Sequence, residues 1–204
     1  MQPERIIALD LDGVVADFHQ VVLDILNDMY HTSYTTADWT SWQFVGNALW
    51  RSDGAPYKTE TEGRRVEKKI FRLAWDRWQD VPLQEPNAIQ YANDLRKYGK
   101  VFLLTGRQGF ADDANVAMWC STHGLKTHGF YCLDIDSGLS KPDFTPPFNV
   151  YIDDNPSTII GASKKGALSY LPDRPWNQKV EESSLLKRVK SLKEVLDDLK
   201  VKTS

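Results

Sequence analysis

The sequence predicts an α/β fold, in which a Rossmann-like parallel sheet is flanked by helices and a small, mainly helical cap is inserted after the first strand. Two observations lead to this prediction. Short apolar runs alternate with helical patterns over residues 86–204, which is typical of parallel strands covered on both faces. The first apolar run, residues 5–9, is separated from the others by about seventy tryptophan-rich residues, too many for a simple crossover. We therefore expect a core domain formed by residues 1–17 and 86–204, and a cap formed by residues 18–85.

The individual elements are predicted from hydrophobic spacing and from the residues that end helices. Short apolar runs predict buried strands at residues 5–9, 101–104, 129–133, 149–152 and 167–171. Apolar residues at helical spacing predict helices that include residues 21–29, 63–78, 87–98, 110–123, 156–165 and 183–200. Asp17 is expected to cap the first of these helices.

Composition and charge limit the classes of function. The chain has 204 residues, of which 41% are hydrophobic, and a formal net charge of -3 at pH 7. Binding of polymeric nucleic acid usually needs a basic surface, so that class is disfavoured. The 2 cysteines and 4 histidines show no zinc-ligand spacing. No signal peptide or membrane span is recognisable, so we expect a cytoplasmic protein without a membrane partner. A homodimer is compatible with the sequence.

Polar residues suited to catalysis cluster near the predicted strand ends. In an open parallel sheet, ligands bind beyond the carboxyl ends of the strands. The residues that follow three of these strands, together with one lysine in a nearby loop, are Asp10, Asp12, Thr105, Gly106, Arg107, Lys141, Asp153 and Asp154. Several carboxylates together need a cation to stay ionised, and a site of this kind suits Mg²⁺. These residues therefore favour a bound Mg²⁺ ion beyond the carboxyl ends of the strands.

Asp10 and Asp12 are suited to two consecutive steps of phosphoryl transfer. They are two residues apart, so their side chains point to the same side of an extended chain. Asp10 would attack phosphorus as a nucleophile, and Asp12 would protonate the departing ester oxygen and then deprotonate a water. Thr105 and Lys141 would bind phosphoryl oxygens. A solvated surface position for Lys141 and a helix-capping role for Asp154 are the structural alternatives.

Four ordered segments carry a family resemblance. The motifs of the haloacid-dehalogenase-like (HAD) phosphatases are similar, in order and spacing, to DLDGVVAD (10–17), LLTGR (103–107), Lys141 and YIDDNP (151–156). This resemblance implies that the first aspartate, Asp10, is the nucleophile and that the second, Asp12, is the general acid/base.

The same resemblance implies how metal and phosphate are bound. Mg²⁺ would be held by the Asp10 side chain, the Asp12 backbone carbonyl and Asp153. Asp154 would lie behind these ligands or bind the ion through water. The phosphate would be bound by three residues, which are Thr105, Gly106 and Lys141.

A narrower resemblance is to the 5'(3')-deoxyribonucleotidases. Their first motif continues as DGVLADF, similar to DGVVADF at residues 12–18, and their chain returns to the core through a segment similar to VPLQEPNA at residues 81–88. The resemblance implies a small-molecule nucleotide substrate whose base stacks on Phe18. The other candidate substrate contacts are Trp39, Trp42, Phe44 and Arg107. This chain departs from the family at 105–107, where TGR replaces the usual Thr-Ser.

Several functions compete at this point. The leading hypothesis is a Mg²⁺-dependent phosphomonoesterase that hydrolyses (deoxy)nucleoside monophosphates through an aspartyl-phosphate. A phosphatase with the same chemistry that acts on another small metabolite, such as a sugar phosphate, is the alternative, because the motifs recognise only phosphate. A non-catalytic binding module is disfavoured by the presence of every catalytic residue. Tryptophans in a helical insertion belong to the hydrophobic core more often than to a ligand platform.

Overall fold

The structure, a computed structural model, describes residues 4–43, 60–107, 110–134, 138–144 and 148–202. The described chain contains a six-stranded, wholly parallel sheet with the strand order β3-β2-β1-β4-β5-β6. Its strands are β1 (Ile6–Leu9), β2 (Lys100–Arg107), β3 (Gly129–Asp134), β4 (Val150–Ile152), β5 (Leu168–Pro172) and β6 (Leu186–Val189). The predicted α/β fold with a parallel sheet is confirmed.

Helices cover both faces of the sheet. They are α1 (Phe18–Tyr30), α2 (Glu60–Asp76), α3 (Ala88–Asp94), α4 (Phe110–His123), α5 (Pro156–Lys164) and α6 (Leu192–Val201). The Asp17 side chain accepts a hydrogen bond from the Gln20 amide at the start of α1, which confirms its capping role. Among the described helices, none combines the length and the apolar character that crossing a membrane requires.

The sheet separates two hydrophobic clusters because successive side chains of a strand point to opposite faces. Ile7 and Leu9 of β1 belong to the cluster that includes α1, α2, α3, α4 and α6. Ala8, between them, belongs to the cluster that includes α5. The central strand is therefore buried on both sides, as its continuous apolar run predicts.

The chain leaves the sheet and returns to it through one small paired structure. After β1, Gly13 donates its amide hydrogen to the Ala16 carbonyl, with 2.8 Å between N and O. The returning segment then pairs with it: the Asp17 amide donates to the Pro82 carbonyl at 2.8 Å, and the Gln84 amide to the Val15 carbonyl at 2.9 Å. The segment that contains α1 and α2 thus begins and ends beside β1. The division into core and cap domains at the predicted boundaries stays a prediction.

Two predicted elements differ from the structure. Residues 183–200 are not one helix, because residues 186–189 form β6 and α6 begins only after Ser191, whose side chain accepts a hydrogen bond from the Glu194 amide. Leu186 and Val189 are three residues apart and lie in opposite clusters. In a strand covered on both faces, such a pair imitates helical spacing. Strand β2 is also longer than predicted and includes residues 105–107.

Candidate active site

Asp10 lies directly beyond β1, at the carboxyl edge of the sheet. Its amide donates to the carbonyl of Ile152 at 2.9 Å, which ties the backbone to the neighbouring strand β4. One carboxylate oxygen, Oδ1, accepts a hydrogen bond from the Leu11 amide at 2.8 Å. The side chain is only 4% exposed. Asp10 is therefore held in one orientation, with its second oxygen, Oδ2, turned to other partners.

Lys141 connects the ends of two adjacent strands. Its Nζ lies 2.6 Å from Asp10 Oδ2 and 2.7 Å from Asp153 Oδ2, and Asp153 follows β4. Burial alone would lower the pKa of Lys141, but the charges of Asp10 and Asp153 outweigh burial and raise it. Lys141 is thus a permanent cation between two carboxylates. The surface alternative for this residue is wrong.

Three buried carboxylates meet at the same edge. Asp10, Asp153 and Asp154 each offer an oxygen, and these oxygens lie within 4.8 Å of one another. Burial, with the charge of Asp10, raises the pKa of Asp153 to about 7. Burial and the charges of Asp10 and Asp153 raise the pKa of Asp154 well above its ordinary value. Asp154 Oδ1 is buried and has no hydrogen-bond partner among the described residues. An all-oxygen cluster of this charge fits a hard divalent cation such as Mg²⁺.

Asp154 is fixed by a loop that follows β5. Trp176 donates its indole N–H to Asp154 Oδ2 at 3.1 Å, and the Asn177 side-chain amide donates to the Asp154 carbonyl at 3.1 Å. The helix-capping alternative for Asp154 is wrong, because Asn155 caps α5 and accepts a hydrogen bond from the Ser157 amide. Its carboxylate lies within the acidic cluster itself.

Asp10 of the acidic cluster, together with Lys141, lines a cavity of about 430 Å³. This volume is in the range of pockets that bind cofactors and drug-sized ligands. Asp12 lines it together with Asp10, as expected for two side chains on one side of an extended segment. Thr105 and Gly106, which belong to β2, also line it. The Thr105 hydroxyl is buried and has no hydrogen-bond partner among the described residues, so it is available to a ligand oxygen.

Aromatic residues form another part of the cavity wall. Phe18 stacks on Trp75 of α2, with 5.0 Å between the ring centroids, and Phe71 meets Phe18 edge-to-face at 5.6 Å. All three line the cavity. Trp42 also lines it and is 39% exposed. The cavity therefore combines a charged end with an apolar, π-rich wall.

His19 and Trp39 also line the cavity. The His19 ring stacks on Trp176 at 4.2 Å and meets Trp39 edge-to-face at 4.8 Å. Burial, with the nearby charge of Arg174, lowers the pKa of His19 to about 3, so the imidazole is neutral. Trp39 is 2% exposed and belongs to the hydrophobic core as well as to the cavity wall. The loop that fixes Asp154 thus also packs against the aromatic wall.

Two predicted substrate contacts have no described side chain. Phe44 lies outside the described residues, and only the backbone of Arg107, at the end of β2, is described. Conversely, several cavity-lining residues were not predicted from the sequence; they are His19, Glu67, Phe71, Trp75, Leu133, Leu139, Ser140, Asn155, Ser157 and Thr158. The four-residue spacing of Glu67, Phe71 and Trp75 indicates in the sequence itself that they lie on one helix face.

Comparison with known proteins identifies the fold. No protein-family model matches the sequence, and no curated protein matches it. Solved structures match along almost the whole chain. SP0104 from Streptococcus pneumoniae, a hydrolase of the haloacid dehalogenase-like family, has a TM-score of 0.64 and 13% identity over 97% of this chain and 99% of its own. The chain has the HAD-like fold.

Other HAD-like structures give similar values. YfnB from Bacillus subtilis, assigned as a HAD-hydrolase and solved bound to magnesium, has a TM-score of 0.61 and 16% identity over 98% of this chain and 100% of its own. A phosphonoacetaldehyde hydrolase-like protein from Oleispira antarctica has a TM-score of 0.62 and 16% identity over 98% of this chain and 94% of its own. At these identities the likeness is one of HAD-like fold.

Proposed function

We propose that the protein is a Mg²⁺-dependent phosphatase that uses Asp10 as its nucleophile. The proposal rests on the position of the buried Asp10 carboxylate, which contacts the Lys141 ammonium and belongs to the acidic cluster. Asp12 lines the same cavity as Asp10. The residues that would hold Mg²⁺ are Asp10, the Asp12 carbonyl, Asp153 and Asp154. When bound, the ion supplies positive charge that lets an anionic carboxylate approach a phosphate.

The first step forms an aspartyl-phosphate. An Asp10 carboxylate oxygen attacks phosphorus, and the bond between phosphorus and the ester oxygen breaks. Asp12 gives its proton to that departing oxygen, so the leaving group departs as a neutral alcohol. The Lys141 ammonium and the Thr105 hydroxyl donate hydrogen bonds to phosphoryl oxygens as these gain charge.

The second step releases inorganic phosphate. Asp12, now ionised, takes a proton from a water molecule whose oxygen attacks phosphorus. The bond between phosphorus and the Asp10 oxygen breaks, and both aspartates return to their starting states. Haloacid dehalogenation is a weaker proposal for this chain, since it leaves Asp12 and the acidic cluster without a role.

The proposed substrate is a (deoxy)nucleoside monophosphate. Its phosphate would lie at the charged end of the cavity, and its base against Phe18, Phe71 and Trp75. Stacking of a base on an aromatic side chain contributes about 1–3 kcal/mol of binding free energy. A substrate with a base should therefore bind more tightly than one without. Trp42, partly exposed at the cavity, would complete the pocket.

Phosphate release from a panel of phosphomonoesters tests both parts of the proposal. With Mg²⁺ present, deoxynucleoside monophosphates should have a higher kcat/KM than sugar phosphates. Asp10→Asn should lower kcat roughly 10³-fold or more, whereas Asp28→Asn, an equal change on the exposed face of α1, should not. Activity retained in Asp10→Asn would disprove the nucleophile. A preference for sugar phosphates would disprove the nucleotide and leave the phosphatase.

A further inference from the structure

One face of α2 lines the cavity with an ordered series of side chains. Glu67, Phe71 and Trp75 follow one another at intervals of four residues, and all three line the cavity. Residues four apart lie on the same face of a helix. An acidic side chain therefore continues the aromatic wall that Phe71 and Trp75 form.

Trp75 and Glu67 are the two ends of this series. Trp75 stacks on Phe18, which follows the Asp10 motif closely in the chain. At 1.5 Å per residue, Glu67 is roughly 12 Å farther along the helix axis than Trp75. A leaving group that contacts both Trp75 and Glu67 therefore has to be an extended one, such as a nucleoside.

The Glu67 carboxylate is half-buried and has no hydrogen-bond partner among the described residues. Its charged neighbours are Arg64 and Lys68 of the same helix, and burial outweighs their effect and raises the pKa of Glu67. An ionised carboxylate can only accept hydrogen bonds, so a ligand group that binds to Glu67 has to be a donor.

We propose that Glu67 determines base specificity by accepting hydrogen bonds from the edge of the base, and that guanine is the preferred base. This inference rests on the proposed nucleotidase function. Guanine offers two adjacent donors, the ring N1–H and the exocyclic amino group, which match the two oxygens of one carboxylate. Thymine and uracil offer a single N–H between two carbonyl oxygens, which a carboxylate repels. Adenine and cytosine offer an amino group beside a ring-nitrogen acceptor and rank between these.

The same carboxylate disfavours a leaving group that carries a second negative charge at its far end. Bringing a second negative charge next to a buried carboxylate costs free energy, so such a ligand binds more weakly. The Glu67 end of the cavity thus selects neutral, donor-bearing groups, while the Asp10 end recognises the phosphate.

The test compares kcat/KM for three substrates in three proteins. The substrates are deoxyguanosine, deoxyinosine and deoxythymidine monophosphate, and the proteins are the parent, Glu67→Gln and Asp76→Asn. Deoxyinosine lacks the exocyclic amino group and should be about tenfold poorer than deoxyguanosine in the parent. Glu67→Gln should lower kcat/KM for deoxyguanosine about 10- to 100-fold relative to deoxythymidine. Asp76→Asn, on the exposed part of the same helix, should leave that ratio unchanged.

The outcomes separate the two proposals. If the parent hydrolyses none of the three nucleotides, the proposed function fails. If it hydrolyses them and the guanine-to-thymine ratio is the same in the parent and in Glu67→Gln, only the specificity inference fails. An equal loss for all three substrates, with a lower melting temperature of Glu67→Gln, would show a structural role and would also overturn the inference.

Discussion

Gly13 lies so close to the Asp154 carboxylate that no side chain fits between them. A Cβ built on Gly13 would lie 2.0 Å from Asp154 Oδ2. The residue also has a φ of 72°, and Arg174 donates from Nε to its carbonyl at 2.9 Å. The glycine of the Asp-x-Asp-Gly motif is therefore required because a carboxylate of the acidic cluster occupies the space beside it.

Gly13→Ala should displace Asp154 and weaken magnesium binding. Gly124→Ala is the matched control, because Gly124 has a similar φ of +71° and nothing within 4 Å of the added Cβ. The control should lose about 1 kcal/mol of stability from backbone strain and keep its magnesium affinity. Gly13→Ala should lose more stability and bind Mg²⁺ at least about tenfold more weakly. Calorimetric titration with Mg²⁺ and urea unfolding measure both effects, and equal affinities in the two variants would contradict this account.

Lys141→Met should destabilise the metal-free protein and abolish most turnover. Removal of the ammonium leaves the Asp10 and Asp153 carboxylates buried without their shared counter-charge. Breaking a buried ion pair in this way costs about 3 kcal/mol, part of which Mg²⁺ should restore. Loss of a donor to the phosphoryl group should lower kcat about 10²-fold or more.

The control for Lys141→Met is Lys193→Met. Lys193 lies 2.6 Å from Asp197, but both side chains are exposed, and surface ion pairs contribute little to stability. Urea unfolding in EDTA and in Mg²⁺ compares the two variants. The ion-pair account would be wrong if both unfolded at the parent's urea concentration.

The sequence predicted those parts of the fold and site that depend on local patterns. Strand β1 and Asp10 were predictable because the short buried strand, the Asp-x-Asp-Gly segment and helix α1 follow one another directly in the sequence. The HAD-like resemblance of four ordered segments added the expected positions of Thr105 and Lys141. The structure places both at the cavity, and the strand order brings their separate segments to one edge.

Other features could not be predicted because they depend on distant parts of the chain. Asp153 and Asp154 are adjacent and chemically alike, and contacts from distant segments distinguish them. Lys141 pairs with Asp153, whereas Trp176 and Asn177 of the loop after β5 donate hydrogen bonds to Asp154. Glu67 lies in a helix whose polar face normally meets solvent. Part of this face lines the cavity instead, because of where α2 lies relative to the sheet.

Asp154→Asn should change stability in opposite directions with and without magnesium. In EDTA the amide cannot take up the negative charge that burial and the charges of Asp10 and Asp153 disfavour at this position, so the variant should be at least as stable as the parent. At Mg²⁺ concentrations of about 100 times Kd, the ion should stabilise the parent by about 2.7 kcal/mol, and most of this gain should be absent in Asp154→Asn. Thermal unfolding measures the difference, with the exposed Asp28→Asn as control. An undiminished magnesium gain would exclude Asp154 from the metal site.

His19 should make the parent less stable as the pH falls below about 6.5, because the folded protein holds the imidazole neutral. Burial lowers its pKa from 6.5 to about 3. Between these values the unfolded chain binds a proton that the folded chain does not, so the free energy of unfolding falls with decreasing pH. The slope approaches about 1.4 kcal/mol per pH unit. His19→Phe keeps a ring between Trp39 and Trp176 and removes the titrating group.

The measurement is the difference in unfolding free energy between the parent and His19→Phe, from urea titrations at pH 4.5 to 8 in one buffer series. Contributions from Asp153 and the other carboxylates occur in both proteins and cancel in the difference. The parent should lose stability relative to the variant below pH 6.5, and the difference should be constant above pH 7.5. His31→Asn, at an exposed histidine, controls for removing a histidine from the unfolded chain. The account would be wrong if the difference in unfolding free energy between the parent and His19→Phe did not change with pH, or changed in the opposite direction. Either result would mean that the folded protein accepts a proton at His19 and that the ring is not buried between the two tryptophans.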